Sequence, residues 1–355
     1  MKVLGIESSC DETGAAVIEG DGSELRLLSN VVASSADLHR QYGGVVPEIA
    51  ARSHIEAINP VIRQALEEAG CNWDQVDAVA VTKGPGLGGS LLVGVLTART
   101  LAILHKKPLY GVNHVLAHTY ASFITKATGS YKLAEAPPEF PMLALIVSGG
   151  HTQLAYFENH FKYSLLGTTT DDAVGEAYDK VAKILGLPYP GGPSVEKLAI
   201  EGVSNKYSLP KAKTKEKYGF SYSGLKTAVL RLAQAEIGQD YNFPSHMIAE
   251  KLSGRQKTDI AACFNKVAIE VLVDKTKLAF EEYAPKSIVV SGGVSASPEL
   301  RRQMKDALPI RPIFADPKLC TDNGAMIAAA GYFMARQKAS PDNPKELDIT
   351  PSLSL

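Results

Sequence analysis

The chain has 355 residues, 45% of them hydrophobic, and a formal net charge of −1. That length suits about two domains, and the apolar share is that of a packed globular protein. The near-neutral balance excludes a global basic field, so a nucleic-acid partner would need a local basic patch. No apolar run approaches the ~20 residues that span a bilayer. The start, MKVLGIESSCDET, turns polar too soon for a secretory signal. Cys10, Cys71, Cys263 and Cys320 lie far apart with no paired ligand spacing, which predicts a reduced, cytoplasmic setting with no membrane partner.

In chain order, VLGIESSCDETGAAVI (3–18) reads as strand, tight polar turn and returning strand. Such a turn exposes amides and hydroxyls to an anion. DAVAVTKGPGLGGSLLVGVLTARTLAILH (77–105) reads as strand, glycine turn and helix. NHVLAH follows, with Asn113 suited to cap a helix and His114 and His118 four residues apart on one face. Two imidazoles at that spacing can meet one metal ion, but the bare pair by itself favours one packed and one solvated side chain. The zincin pattern is absent, because Val115 stands where a protease needs glutamate. Residues 127–140 read as a loop.

LALIVSGGHTQLAYF (143–157) repeats the layout of 3–18, and SIVVSGGVSASPELRRQMKDA (287–307) repeats that of 77–105. This duplication predicts two similar α/β halves around a cleft, the layout of actin, hexokinase and heat-shock ATPases. The expected lobes are 1–126, completed by a helix at about 323–336, and 141–322. Residues 337–355, poor in apolar side chains, are expected to be a flexible tail.

Within the second half, Gly149 and Gly150 allow close backbone approach, and Ser148 and His151 can donate to phosphate. An ordinary hairpin turn reads the same way. Asp179 and Glu196 suit ribose hydroxyls or a plain solvent-facing helix surface. Gly292-Gly293-Val294-Ser295 can pass beneath an adenine ring. Residues 204–217 carry Lys206, Lys211, Lys213, Lys215 and Lys217, a solvated loop or a contact to a phosphate backbone. Asp322, in TDNGAMIAAAGYF, is a third metal ligand or a helix cap. Two imidazoles and one carboxylate leave coordination positions open for substrate oxygens. The chain has no Walker lysine motif and no GxSxG elbow.

Taken together, GIESSCDETGAAV, YGGVVPEIAARSH, GPGLGGSLLVG, NHVLAH, LIVSGGHTQL, DDAVGEAYDKVAKILGLPYPGGP, FSYSGLKTAV, SGGVSAS and TDNGAMIA run in one order from residue 1 to about 335. In this the sequence resembles the bacterial branch of the tRNA N6-adenosine threonylcarbamoyltransferases, the TsaD family formerly described as O-sialoglycoprotein endopeptidases. The resemblance implies the duplicated actin/hexokinase/Hsp70-like fold. It implies one divalent metal on His114, His118 and Asp322, iron(II) with zinc as the alternative. Val147 through His151 match the substrate loop, Asp179 and Gly192 match further nucleotide contacts, and Glu196 falls where some members turn a carboxylate to the ribose. Two departures stand out. Ser297 replaces the family asparagine of the SGGVSAN motif, and Leu116 replaces a glutamate found between the metal histidines.

The implied reaction moves a threonylcarbamoyl group from threonylcarbamoyl-AMP to the N6 amine of the adenosine beside the tRNA anticodon. Asp11 and Glu12, in the first turn, are expected to orient the attacking amine, and the lysines at 206–217 to contact tRNA. Binding of ATP, ADP or AMP is implied, with a shorter TsaB-like paralogue and a small TsaE-like ATPase as partners, and a separate synthase supplying the adenylate. The rival readings are a metalloprotease and an ATP-hydrolysing kinase or assembly module of the same fold.

Overall fold

Near-continuous burial along Lys2–Glu7, Glu12–Asp21, Ala78–Gly84 and Leu109–Asn113 marks strands covered on both faces, while Glu24–Ser34 alternates. In a computed structural model describing residues 1–355, β1 (Lys2–Glu7), β2 (Glu12–Asp21) and β3 (Glu24–Ser34) form an antiparallel meander. A short helix, α1 (Ala36–Arg40), and a long one, α2 (Pro47–Glu68), lead to β4 (Ala78–Gly84), which runs parallel to β1. Helix α3 (Gly88–His105) returns the chain to β5 (Leu109–Asn113), parallel to β4. Then come α4 (His114–Tyr120) and β6 (Ile124–Ala127). The sheet order is β5-β4-β1-β2-β3-β6. Leu4, Ile6, Val79 and Val81 face a core shared with Ile58, Val61 and Ile62 of α2 and Val95 and Ala98 of α3.

The second part of the chain repeats the plan. Strands β7 (Met142–Val147), β8 (Thr152–Asn159) and β9 (Lys162–Thr168) form a meander. Helices α5 (Val174–Leu185), α6 (Gly191–Ala199), α7 (Ser223–Glu236), α8 (Ile248–Lys251) and the long α9 (Gly254–Tyr283) precede β10 (Ser287–Ser291), which lies parallel to β7. Helix α10 (Pro298–Ala307) follows. The order β10-β7-β8-β9 matches β4-β1-β2-β3, so the duplication read from the two pairs of segments is a topological one.

A two-residue strand, β11 (Ile313–Phe314), begins the return, with α11 (Pro317–Cys320) and α12 (Gly324–Arg336) after it. The compact units are Met1–Pro138 with Ile313–Leu355, and Glu139–Pro312. The return therefore starts earlier than the expected boundary at 322, and Asp322 falls inside the first unit. One reason is Asp316, which caps α11 through Lys318 N and also accepts from Lys132 N at 2.5 Å.

Helix α12 packs on β1 and β2 through small residues. A side chain at Gly5 would meet the Ala328 backbone at 2.3 Å, and one at Gly324 would meet the Ala15 backbone at 2.5 Å. This close approach explains the run GAMIAAAG.

Residues 337–355 are not the loose tail that composition suggests. Asp342 N donates to Leu109 O at 2.8 Å, and Asp342 Oδ2 accepts from Gly111 N at 2.8 Å. Thr350 N donates to Lys83 O at 2.7 Å, and Arg99 binds the carbonyls of Pro344 and Lys345. Leu347 is buried in the first core. The segment supplies few apolar side chains because its backbone groups do most of the fastening. One helix, α3, is long and apolar enough by length and composition to cross a membrane, contrary to the sequence expectation. Its Leu91, Val95, Ala98 and Ala102 are buried, and it packs against β4 and α2.

Candidate functional site

The strongest cluster of chemistry lies in the first unit. Asn113 ends β5 and caps α4, its Oδ1 accepting from Leu116 N at 3.1 Å. The next residue, His114, and His118 one turn later share a face, with ring centroids 4.9 Å apart. Behind them, Tyr120 stacks on Phe123, and both meet Phe333 of α12 at tilted or edge-on angles, which fixes α4 against that helix.

Asp322 stands just before α12. The cap of that helix is taken by Asn323, whose Oδ1 accepts from Ala325 N and Met326 N at 2.9 and 3.1 Å. Capping is therefore not what Asp322 does. Its Oδ1 stands 3.5 Å from His114 Nε2 and 3.4 Å from His118 Nε2. One ligand atom from each of the three residues falls within 4.8 Å of the others. Ligands at right or tetrahedral angles with bonds of about 2.1 Å lie roughly 3.0–3.4 Å apart, so the two carboxylate–imidazole separations are close to those around one ion, and the widest of the three would close by a fraction of an ångström to about 1 Å on binding.

The polar-atom inventory supports the same fit. His118 is buried, and neither of its ring nitrogens makes a hydrogen bond. A buried imidazole without a partner is costly unless something else satisfies it. Burial lowers the pKa of His114, but the charges of Asp322 and Glu7 outweigh it and raise the group to about 9.

The turn after β1 sits beside these ligands. Ser8 Oγ donates to Ser90 O at 3.0 Å, Leu87 N donates to Ser9 O at 2.8 Å, and Ser90 Oγ donates to Cys10 O at 3.2 Å. A side chain at Gly94 would meet Ser8 Oγ at 2.2 Å. GPGLGGS is therefore the packing partner of the SSC turn, a role that its glycines alone do not reveal. Asp11 is buried and Glu12 partly so. Burial pushes the Glu12 carboxyl up to about 10, with the nearby negative charges of Asp322 and Asp11 adding to it. Burial likewise raises the Cys10 thiol far above its ordinary range. His54, which ends the YGGVVPEIAARSH stretch but has no role in the sequence reading, joins this turn through Nδ1 to Thr13 Oγ1 at 2.7 Å and Nε2 to Cys10 O at 3.0 Å. The signal for it was the ARSH stretch on α2, whose periodicity alone marks a core position.

In the second unit, the turn Val147–His151 is closed by Ser148 N to His151 O at 2.9 Å and His151 N to Ser148 Oγ at 3.2 Å. Gly149 and Gly150 are exposed, with open space around the position of a side chain. The turn rests on the first turn of α5, where Gly149 O accepts from Glu176 N at 3.0 Å. Gly292, at φ +87, brings the second glycine turn onto Val147, with no room for a Cβ beside the Val147 carbonyl.

Asp179 Oδ1 accepts from Gly191 N at 2.7 Å and ties α5 to the start of α6. Gly192 has open space beside it. Ser297 Oγ donates to Glu196 Oε1 and accepts from Leu300 N at 3.2 Å, so it caps α10 and reaches α6 at once. Burial raises the Glu196 carboxyl, Ser297 opposes this, and Glu299 adds to it. Sequence reasoning also missed a joint between two motifs. Asp171 accepts from Tyr222 N and Ser223 N, and Asp172 pairs with Lys180 and Lys226, which links DDAVGEAYDK to FSYSGLKTAV.

All five lysines at 206–217 are exposed. Lys211 pairs with Asp274 at 2.7 Å and Glu270 at 3.0 Å, and Lys217 pairs with Glu282. Their charge is partly answered within the unit, which the sequence run did not disclose.

A family model described as "tRNA N6-adenosine threonylcarbamoyltransferase" matches residues 26–329. A protein of that name from Symbiobacterium thermophilum is 50% identical over 356 residues, covering 99% of this chain and 96% of its own. One from Thermomicrobium roseum is 45% identical, covering 100% of this chain and 97% of its own. Among solved structures, full-length HypF in its phosphate- and nucleotide-bound form aligns with a TM-score of 0.58 at 12% identity, covering 96% of this chain and 47% of that chain. The same four-strand order recurs in both units, the duplication expected from the sequence.

Proposed function

The chain belongs to the tRNA N6-adenosine threonylcarbamoyltransferase family, and from that premise we propose how its residues divide the work. The group transferred is threonylcarbamoyl, the donor is threonylcarbamoyl-AMP, and the acceptor is the N6 amine of the adenosine next to the anticodon. The observation that carries the reading is the meeting of His114, His118 and Asp322, with His118 buried and free of hydrogen bonds.

His114, His118 and Asp322 hold one divalent metal. Two imidazoles and one carboxylate are a donor set favoured by iron(II), and zinc is the alternative. When bound, such an ion polarises a carbonyl or phosphoryl oxygen and orients the group that carries it.

In the second unit, the exposed amides of Gly149 and Gly150, with Ser148 and His151, bind the phosphate side of an adenine nucleotide. Asp179, Gly192 and Glu196 receive the ribose. Ser297 acts there through Glu196, because its hydroxyl is engaged by that carboxylate. The same set accommodates ATP, ADP or AMP.

The transfer forms a bond from N6 to the carbamoyl carbon and breaks the bond from that carbon to the AMP phosphate oxygen. AMP leaves as an anion, and the amine gives up one proton. Asp11 is the acceptor for that proton. Glu12 stands beside Asp11 in the same turn, where burial and the charges of Asp322 and Asp11 push its carboxyl up in the metal-free chain, and it orients the amine. Little covalent chemistry is asked of the protein, since AMP is a good leaving group. Positioning and charge stabilisation carry the rate. Lys206, Lys213 and Lys215 contact tRNA phosphates, and Lys211 and Lys217 contribute less because of their ion pairs. The protein acts in the cytoplasm with a shorter TsaB-like paralogue, a small TsaE-like ATPase and a separate synthase.

The test supplies threonylcarbamoyl-AMP carrying labelled threonine, together with unmodified tRNA and the partner proteins. Label recovered in the modified adenosine supports the reading. Label released only as free threonine, with ATP turnover independent of tRNA, would point instead to an ATP-hydrolysing module of the same fold. A metalloprotease is disfavoured by Val115 and Leu116, which are buried apolar residues on α4 where a water-activating carboxylate is needed.

A further inference from the structure

Glu7 is completely buried at the end of β1. A carboxylate in that position is unfavourable unless its oxygens are satisfied. Strand register supplies the partners. Ile6 pairs with Val81 of β4, and Thr82 pairs with Val112 of β5, so Glu7, Thr82 and the residues leading into His114 stand side by side on three neighbouring strands. Ser9 N donates to Glu7 Oε1 at 2.5 Å. Thr82 Oγ1 donates to Glu7 Oε2 at 2.5 Å, and His114 Nδ1 meets the same oxygen at 3.1 Å.

We propose that Glu7 is a positioning residue of the metal centre: it holds the proton on Nδ1 of His114 and so presents Nε2 toward His118 and Asp322. The proposal rests on the metal reading above. An imidazole has two nitrogens, and the hydrogen bond made by one decides which is left to bind a cation. Outer carboxylates serve histidine ligands in this way, fixing the tautomer and making the ligating nitrogen more basic. Here Nδ1 is engaged by Glu7, with Ser9 Oγ at 3.2 Å as a second neighbour, while Nε2 is the nitrogen turned to Asp322. His118 has no counterpart, since neither of its nitrogens is hydrogen-bonded. The centre is therefore built with one braced imidazole and one held by packing. Thr82 extends the brace by fixing the carboxylate that fixes the ring.

The test measures Zn(II) and Co(II) affinity by chelator competition on the full chain, for the wild type, Glu7→Gln, Thr82→Val and His118→Ala. The expected result is about 10–100-fold weaker binding in Glu7→Gln, with Thr82→Val between it and the wild type. A Glu7→Gln protein that melts earlier but binds metal within about twofold of wild type overturns the proposal, because that pattern is a purely structural role. Zn(II)-loaded wild type with 15N-labelled histidine gives a readout independent of any variant. A slowly exchanging proton on Nδ1 of His114 with metal on Nε2 is expected, and metal on Nδ1 overturns the assignment. Failure of the metal reading is distinguishable: the wild type then binds no stoichiometric metal, or His118→Ala binds as the wild type does, and the role of Glu7 falls with it.

Discussion

The hydroxyl of Ser297 is shared between two helices, donating to Glu196 of α6 while accepting from Leu300 N of α10 at 3.2 Å. The side chain at position 297 therefore caps α10. Ser297→Ala is expected to cost about 1 kcal/mol in urea unfolding through loss of the cap. Ser297→Asn, which restores an N-cap residue, is expected to fall within about 0.5 kcal/mol of wild type. Equal losses for the two variants would reject the capping role.

Metal affinity should depend on pH in a direction set by His114. Its pKa is raised to about 9 in the metal-free protein. A raised histidine contributes stability that is complete below its ordinary pKa and is lost as pH rises through about 9. A metal must displace that proton, so affinity should climb by about tenfold per pH unit below that value and then level. Competition titrations from pH 6 upward check this, and a flat profile contradicts it.

The C-terminal segment should matter to stability. Leu347 lies in the first core and Thr350 bonds to Lys83. Leu347→Ala is expected to lose about 2–3 kcal/mol, and removal of the chain after Ala339 to lose more. Thermal melts and limited proteolysis read both. An unchanged melting temperature would restore the view of a loose tail.

Close packing of α12 gives a harsher expectation. A methyl at Gly324 would lie 2.5 Å from the Ala15 backbone. Gly324→Ala should cost about 3 kcal/mol and disturb the adjoining Asp322, so stability and metal affinity should fall together. Retention of both would mean that α12 shifts without consequence.

The lysine run offers a graded test. Replacing Lys206, Lys213 and Lys215 by alanine should weaken tRNA binding and flatten its salt dependence by close to one unit of slope per lost phosphate contact. Replacing Lys211 and Lys217, which already face carboxylates, should change the slope less. The reverse order would reject the assignment.

Much of this was legible in the sequence because period and punctuation are local. The strand–turn–strand and strand–glycine–helix segments fell where the apolar runs and glycines placed them, and Asn113 caps α4 as its residue type predicts. What lay hidden depends on partners distant in the chain. Glu7 reads as one more residue of a strand until β4 and β5 set Thr82 and His114 beside it. Asp322 and Asn323 are equivalent as caps until the geometry assigns the cap to Asn323. Lys211 and Lys217 look free for RNA until α9 supplies Asp274 and Glu282. Residues 337–355 looked loose because hydropathy does not register backbone hydrogen bonds.

The most direct measurement is the metal content of the full chain purified without chelators, for the wild type beside His118→Ala and Asp322→Ala. One equivalent of a divalent ion in the wild type, lost in both variants while their folds persist by circular dichroism, is the predicted result. Metal-free wild type that cannot be loaded with iron(II) or zinc, or variants that retain the full equivalent, would contradict the account.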